Sequence, residues 1–257
     1  MPTPTDKDSQ AYLDKRAFYD TLLTLYGRNA VLEALEDHSL QIHKLHLSDS
    51  NKPAKVLSQM CALAEERGIE IATHDKQSLS RISKNAKQDQ GVALDIVMPH
   101  SGSPEAFLAA NSRYRIIALD GITNPQNLGM IIRSCAAGHI DAILIPAKAN
   151  AQISPLVIKA SAGTLFKLPI LKTPSLHKAL HSMQSTGATL YTLAADAPRH
   201  YDQTRYPERT VFVLGNESSG VTPEISALCK HSISIPMQRG VESLNVAVTA
   251  ALLAFMG

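Results

Sequence analysis

Val211-Phe-Val-Leu-Gly-Asn-Glu-Ser-Ser-Gly-Val221 joins an apolar run directly to a polar loop that contains two glycines. Four apolar residues that stop at a glycine are typical of a strand buried on both faces. In α/β proteins, the loops at the carboxyl edge of a parallel sheet bind ligands. The segment therefore predicts a buried strand and a ligand-binding loop. Glu217 supplies a carboxylate there, and Gly215 and Gly220 leave backbone amides free to face the ligand.

Other apolar runs of similar length occupy the C-terminal half, and helical patterns separate most of them. They are Ile116–Leu119, Ala142–Ile145, Leu190–Leu193 and Ser232–Ile235. Apolar strands that alternate with helices predict a mostly parallel sheet covered by helices on both faces. Residues 114–257 are thus predicted to form one α/β domain.

The segment from Leu119 to Ser134 follows a predicted strand and opens a helix. Asn127 is predicted to cap this helix and Gly138 to end it. Gly129 leaves room for another backbone or a ligand to approach closely. Arg133 falls on a different face of the helix from the apolar residues before it. The segment has no G-x-G-x-x-G pattern, which disfavours a dinucleotide site.

A second loop and helix follow the last apolar run. The helix is predicted from Ser243 to Phe255, and because its residues are almost all apolar, we expect it to be buried. Ser243 and Asn245 stand at its N-terminus, where residue type alone predicts a capping role.

The N-terminal part divides into three segments. Residues 1–25 are predicted to be a polar tail and a short amphipathic helix over 11–25, and residues 99–113 a linker with a helix over 105–111. Residues 26–98 are predicted to form a small α/β domain. Its strands are expected over 42–47, 69–72 and 92–97, and its helices over 29–35, 53–67 and 76–82, with Gly68 capping the second helix.

Composition excludes several classes of protein. The chain is 44% hydrophobic with a net charge of +2, and its aromatic content of 5% disfavours a binder that stacks many bases on aromatic rings. No apolar run approaches the ~20 residues of a membrane span, and the first ten residues lack the apolar core of a signal peptide. Three widely spaced cysteines are expected to be reduced thiols. We therefore expect a cytoplasmic protein without a metal site.

Three blocks in the C-terminal half resemble the signatures of SpoU-type (TrmH-like) RNA 2'-O-ribose methyltransferases of the SPOUT class. The matching residues are Asp120, Asn124-Pro125, Asn127, Gly129 and Arg133, then Gly215-Asn216-Glu217, then Ile235-Pro236 and Ser243-Leu244-Asn245-Val246. The resemblance extends from Arg115 to the C-terminus. It implies a SPOUT domain with a deep trefoil knot, S-adenosylmethionine as cofactor, RNA as substrate and a homodimer.

The resemblance also implies roles for individual residues. Those expected around the transferred methyl group and the target hydroxyl are Asn127, Arg133, Glu217, Ser243 and Asn245. Those expected to hold the cofactor are Leu214, Gly215, Asn216, Ile235, Pro236 and Leu244. Arg133 is expected to act on the ribose 2'-hydroxyl, and Glu217 to orient Arg133 or the cofactor.

The opening of the small domain, Tyr26-Gly-Arg-Asn-Ala-Val31, resembles the ribosomal-protein-like substrate-binding domain that precedes the knot in many SpoU relatives. This extra domain favours ribosomal RNA over transfer RNA as the substrate. The basic residues expected to contact RNA are Arg28, Lys44 and Arg113, together with Arg133; further candidates are Arg81, Lys84, Lys87 and Arg115.

Other functions are compatible with the sequence. A catalytically silent RNA-binding relative would lack a working cofactor pocket. A different α/β enzyme would bind a nucleotide cofactor, and a methyltransferase of the same class could act on tRNA or on a base atom. Calorimetry with S-adenosylmethionine separates the silent relative from a methyltransferase, and the second alternative predicts binding of a dinucleotide.

Overall fold

The computed structural model describes residues 18–19, 21–98 and 102–256. The chain divides into two compact units, Met1–Pro99 and His100–Gly257. Among the described residues, no helix is both long enough and apolar enough to span a membrane.

The first unit is built on a mixed four-stranded sheet in the order β1-β4-β2-β3. Its strands are β1 (Leu22–Tyr26), β2 (Ile42–Ser48), β3 (Glu70–His74) and β4 (Val92–Val97). Its helices are α1 (Arg28–Glu36), α2 (Lys55–Glu66) and α3 (Lys76–Ser83). β4 is antiparallel to β1 and β2, whereas β2 and β3 are parallel.

Strand β1 corrects the predicted N-terminal helix. Residues 22–25 were expected to end that helix, but they pair antiparallel with β4, from Leu22↔Val97 to Tyr26↔Ala93. Leu23 and Leu25 are buried and their neighbours less so, which is the two-residue period of a strand. Pairing with β4 therefore outweighs the near-helical spacing. Residues 11–17 of the predicted helix lie outside the described residues.

Two residues cap helix ends in this unit, one through its backbone conformation and one through its side chain. Gly68 has φ +64°, so the predicted glycine cap after α2 is confirmed. The neighbouring Arg67 guanidinium donates to the carbonyls of Leu35 at 2.7 Å, Asp37 at 3.2 Å and Leu40 at 2.6 Å. Arg67 thus satisfies carbonyls at and beyond the end of α1 and joins the two helices.

A polar row crosses one face of the sheet. His46 is buried; its Nδ1 lies 2.9 Å from His74 Nε2 and its Nε2 lies 3.0 Å from Asp95 Oδ2. Thr24 donates to the other oxygen of Asp95 at 2.7 Å. Burial raises the pKa of the Asp95 carboxyl, but hydrogen bonds from His46 and Thr24 outweigh burial and hold this pKa below its usual value. The row is therefore internally satisfied.

The second unit contains a fully parallel six-stranded sheet in the order β10-β8-β9-β5-β6-β7. Its strands are β5 (Tyr114–Asp120), β6 (Ala142–Pro146), β7 (Ile170–Thr173), β8 (Thr189–Leu193), β9 (Arg209–Gly215) and β10 (His231–Ile233). Its helices are α4 (Pro104–Ala110), α5 (Pro125–Ala137), α6 (Pro155–Ala160), α7 (Leu176–Ser185), α8 (Pro223–Ser226) and α9 (Val246–Ala254), and a 3-10 turn covers Thr164–Lys167. The predicted α/β class is confirmed, and the knot stays a prediction.

Two elements differ from the sequence predictions. β7 was not predicted, because it has four residues and a lysine at position 172 interrupts its apolar pattern. Helix α4, predicted as part of a linker, packs against β7, so residues 104–110 belong to the second unit.

Glycines set the packing distance around α5. A Cβ at Gly129 would overlap Ala160 Cβ and the Val157 carbonyl oxygen, so α5 and α6 touch through backbone, as Gly129 predicted. A Cβ at Gly138, the predicted end of α5, would overlap the Ala254 carbonyl, which accepts a 2.6 Å hydrogen bond from His139 N. Both glycines are therefore required by close approach.

We expect Gly129→Ala to lower the free energy of unfolding by about 1–3 kcal/mol, because an overpacked contact forces the two helices apart. Gly102→Ala is the matched control, since no atom of a described residue, its chain neighbours excepted, lies within 4 Å of its added Cβ. Chemical denaturation followed by circular dichroism measures both changes. Equal stabilities of the two variants would contradict the close-packing explanation.

Candidate active site

Side chains join the loops that leave the carboxyl edge of the second sheet. Asn216, after β9, donates from Nδ2 to the Gly121 carbonyl at 2.9 Å. The buried Asp120 carboxylate, at the end of β5, accepts from Thr222 N at 2.7 Å. Buried Asn150, after β6, accepts from Ile122 N at 2.7 Å. These hydrogen bonds join the loops after β5, β6 and β9 into one rim at the carboxyl edge of the sheet.

The loop after β9 turns back on itself. Asn216 N donates to the Gly220 carbonyl at 3.0 Å, and Gly220 N donates to the Asn216 carbonyl at 2.8 Å. The expectation that Gly215 and Gly220 expose amides to a ligand is wrong for Gly220, whose N–H is used inside the loop. A Cβ at Gly215 would overlap the backbone of Gly220 and Val221, so glycine is needed there for the turn itself.

The start of α5 corrects the role of Asn127. Asn124 is the N-cap, and its Oδ1 accepts from Gln126 N at 2.8 Å and Asn127 N at 3.4 Å. Asn127 lies in the first turn, where its side chain is buried and points to the rim instead. Its Nδ2 donates to Glu217 Oε1. Glu217 therefore orients Asn127. Among the described residues, no hydrogen bond or ion pair joins Glu217 to Arg133.

Asn245 extends this network from the C-terminal segment. Its Nδ2 donates to Asn127 Oδ1 at 3.2 Å, and its Oδ1 accepts from Ala247 N at 2.8 Å, so its predicted capping role is confirmed. Helix α9 begins at Val246, three residues after the predicted start, and Ser243 lies in the preceding loop. The network Glu217–Asn127–Asn245 thus joins all three signature blocks.

A cavity of about 590 Å³ opens beside this network. Its lining comes from the ends of β8 and β9, the segment after β10 and the start of α9, and much of it is aliphatic. Two carboxylates, Glu217 and Glu242, line it, and no lysine or arginine does so among the described residues. The cavity therefore suits a ligand with an apolar body and positive charge.

Most residues predicted to hold a cofactor line this cavity: Leu214, Gly215, Asn216, Ile235 and Leu244, together with Glu217 and Ser243 from the predicted catalytic set. Pro236, Asn127 and Asn245 lie outside the lining, although the last two are bonded to the rim. Sequence reasoning missed several lining residues: Leu193, Ala194, Ala195, Met237, Val241, Glu242 and Thr249. The end of the predicted strand at Leu193 was the available signal for the first three.

Arg133 lies apart from the cavity lining. It is exposed on α5, six residues or about 9 Å along the helix axis from Asn127. Within the described part of the chain, no hydrogen bond or ion pair restrains its guanidinium. Arg133 is consequently free to contact a molecule that approaches α5 from solvent.

The basic residues predicted to contact RNA differ in whether they already form an ion pair with an acidic residue. Lys44 Nζ lies 2.7 Å from Glu70 Oε1, and this hydrogen bond raises the pKa of Lys44 and lowers that of Glu70. Arg113 pairs with Glu208 at 3.2 Å, whereas Arg28 has no acidic partner in the described residues.

No cluster of metal-ligating side chains occurs within residues 18–19, 21–98 and 102–256.

Family models match both units of the chain. The SpoU rRNA Methylase family matches residues 114–255, and a model described as RNA 2'-O ribose methyltransferase substrate binding matches residues 24–101. An uncharacterized tRNA/rRNA methyltransferase of Mycolicibacterium vanbaalenii is 32% identical over 237 residues, which cover 91% of this chain and 74% of the relative. A Mycobacterium tuberculosis protein with the same description is 30% identical, with coverage of 93% and 74%.

Solved structures share the fold. The SpoU methyltransferase AviRb from Streptomyces viridochromogenes, solved with AdoMet, has a TM-score of 0.62 at 20% identity, covering 96% of this chain and 92% of that one. An AdoMet-bound rRNA methyltransferase from Sinorhizobium meliloti has a TM-score of 0.62 at 19% identity, with coverage of 97% and 90%.

Fold and site together define an α/β protein with a ligand cavity at the carboxyl edge of a parallel sheet. The family models and relatives specify the class as RNA methyltransferases. The chain belongs to the SpoU rRNA methylase family.

We expect Asn127→Ala to lower the free energy of unfolding by about 1–3 kcal/mol, because it removes two hydrogen bonds at a buried position. Glu217→Gln is the control: its amide oxygen still accepts from Asn127, so its stability should change by less than about 0.5 kcal/mol. Urea denaturation measures both. An equal loss in the two variants would show that charge, and not the hydrogen-bond network, stabilises the rim.

Proposed function

We propose that this protein transfers a methyl group from S-adenosylmethionine to a ribose 2'-hydroxyl of RNA. The observation that carries the proposal is the cavity beside the Glu217–Asn127–Asn245 network, with two carboxylates and no cation in its described lining. A dinucleotide cofactor would require positively charged side chains or amide N–H donors to bind its phosphates. The sulfonium of S-adenosylmethionine is a cation and is matched by Glu217 and Glu242.

The residues present fit this cofactor, which supplies an electrophilic methyl group when bound. Backbone groups of Gly215, Ile235 and Leu244 hold its adenine and ribose, and the aliphatic lining excludes water from them. Glu217 and Glu242 offset its positive charge. These residues would position the methyl donor for the reaction, and positioning contributes to the rate.

Arg133 acts on the nucleophile. A ribose hydroxyl must lose its proton as it attacks, and a guanidinium is essentially always protonated, so Arg133 does not accept that proton. It donates hydrogen bonds to the 2'-oxygen and stabilises the developing alkoxide. The carboxylates that line the cavity, Glu217 and Glu242, and solvent water are the acceptors for the proton that the hydroxyl loses.

Ribosomal RNA is the proposed substrate. The small N-terminal unit matches a substrate-binding family model, and a neighbour that aligns over both units is named an rRNA methyltransferase. Comparison of ribose methylation in ribosomal and transfer RNA from cells with and without the gene tests this assignment. A lost modification in transfer RNA alone would overturn it.

Arg133→Ala should lower kcat for RNA methylation by about 10²–10³-fold, the usual effect of removing one group that stabilises an oxyanion. The affinity for S-adenosylmethionine should stay unchanged, because Arg133 does not line the cavity. Radiolabelled methyl transfer and calorimetry measure the two quantities. Lys159→Ala, at another exposed cation of the same unit, is the control; full turnover by Arg133→Ala would exclude this role.

We also propose that a second copy of the chain covers α5 and α9. These helices pack together, yet three large apolar side chains stay exposed. Met130 on α5 is 42% exposed, Val248 on α9 is 48% exposed, and Phe255, the residue that follows α9, is 60% exposed. Large apolar side chains left on neighbouring helices favour an interface between subunits. Arg133 lies one turn beyond Met130, so this interface would border the reaction site.

Sedimentation equilibrium should give twice the chain mass of 27.8 kDa. Val248→Asp, which places a charge in the proposed interface, should shift the protein to the monomer mass. Ala109→Asp, at an exposed position on α4, should leave it dimeric. A wild-type protein of monomer mass would refute the dimer.

A further inference from the structure

The first unit contains a cavity of about 580 Å³ that is separate from the site described above. It lies between the start of α1, the loop after β2, the start of α3 and the turn before β4. Its lining consists of Arg28, Ser48, Ser50, Asn51, Lys76, Leu79, Ala86, Lys87, Asp89, Gln90 and Gly91. This volume is within the usual range for small-molecule sites.

One wall of the cavity is a fixed hydrogen-bonded frame. Arg28 donates from Nε to the Gln90 carbonyl at 3.2 Å and from Nη2 to Asn51 Oδ1 at 3.3 Å. Asn51 in turn donates from Nδ2 to the Gly91 carbonyl at 2.7 Å. A Cβ at Gly91 would overlap the Asn51 amide, so the frame closes only around glycine. Arg28 is thereby held in place while its remaining N–H groups stay available.

The charges that line the cavity are unbalanced. Arg28, Lys76 and Lys87 are cations, and no acidic residue in the described chain forms an ion pair with any of them. Asp89, the one carboxylate in the lining as far as the chain is described, is buried and already accepts from Ser83 Oγ at 3.0 Å and Gly91 N at 3.0 Å. The cavity is therefore suited to an anion.

The lining also indicates which part of a nucleic acid fits. Among the described residues, the lining contains no aromatic side chain on which a base could stack, and Leu79 is its one large apolar residue. Hydroxyls of Ser48 and Ser50, amides of Asn51 and Gln90 and the three cations are groups that bind phosphate and ribose. A site of this kind holds RNA by its backbone and reads no sequence.

We propose that this cavity binds the phosphodiester backbone of the substrate RNA, with Arg28, Lys76 and Lys87 as its phosphate contacts. The proposal rests on RNA being the substrate, and it assigns RNA binding in the small unit to one pocket rather than to its basic residues in general. Lys44, which is paired with Glu70, is outside the pocket.

The test compares Lys76→Ala/Lys87→Ala with a double variant of equal charge, Lys52→Ala/Lys55→Ala, at exposed lysines outside the lining. The probes are ribosomal RNA transcribed in vitro and a hairpin RNA of scrambled sequence. The pocket variant should raise Kd about tenfold or more for both probes alike. Its plot of log affinity against log salt should be shallower by about 0.7–0.9 for each lost phosphate contact. The control should change neither quantity.

Further measurements separate this inference from the proposed function. In the pocket variant, KM for RNA should rise while kcat and the affinity for S-adenosylmethionine stay unchanged. Equal RNA affinities for the pocket and control variants would overturn the pocket. A wild-type protein that binds RNA through the pocket but transfers no methyl group would overturn only the proposed function. AMP binding that is lost in the pocket variant, with RNA affinity intact, would assign the cavity to a free nucleotide and refute the proposal.

Arg28→Lys tests the frame independently. It keeps the positive charge but loses the forked donor geometry that binds both Gln90 and Asn51. We expect a loss of RNA affinity with the salt dependence retained, since the charge is still present. Unchanged affinity would remove Arg28 from the proposed contacts.

Discussion

The parallel pairing of β5 with β9 is the constraint on which the rest of the large unit depends. Seven consecutive partners run in register from Tyr114↔Arg209 to Asp120↔Gly215, so the two strands end side by side. The loops that leave them are then close enough for Asn216 to bond Gly121 and for Thr222 to bond Asp120. A slip of one residue would separate these partners and leave buried polar groups unpaired.

This register allows three distant segments to meet through two amides. Asn127 is 90 residues from Glu217 and 118 from Asn245, yet it donates to the first and accepts from the second. An amide carries both a donor and an acceptor, so one buried asparagine can join a carboxylate and a second amide without an unpaired group. Replacement by aspartate would remove the donor, and replacement by leucine would remove both.

The two cavities differ in charge although the whole chain has a net charge of only +2. The lining described for the large-unit cavity has two carboxylates and no cation, whereas that of the small-unit cavity has three cations and one internally bonded carboxylate. An overall charge averages these opposite environments and therefore says little about either ligand. Local charge sets what each pocket can bind, because electrostatic attraction falls with distance and is screened by salt.

Local pattern was sufficient for much of the architecture. Apolar runs of about four residues located β5, β6, β8 and β9, and alternation located β2. Gly68 and Gly138 marked helix ends, and Gly129 marked a close contact. These features depend on residues near each other in sequence or on the absence of a side chain. β1 was missed because its alternation becomes meaningful only when β4 lies beside it.

The sequence by itself determined the class of fold, the edge of the sheet where a ligand is expected to bind, and the residue types available there. Only the tertiary structure decided what those residues do. Asn127 proved to be a buried residue that joins Glu217 to Asn245 and not a helix cap, Gly215 a requirement of a turn, and Arg133 an exposed side chain outside the cavity. The physical reason is that hydrogen bonds between loops depend on strand register and packing distance, which no local pattern contains.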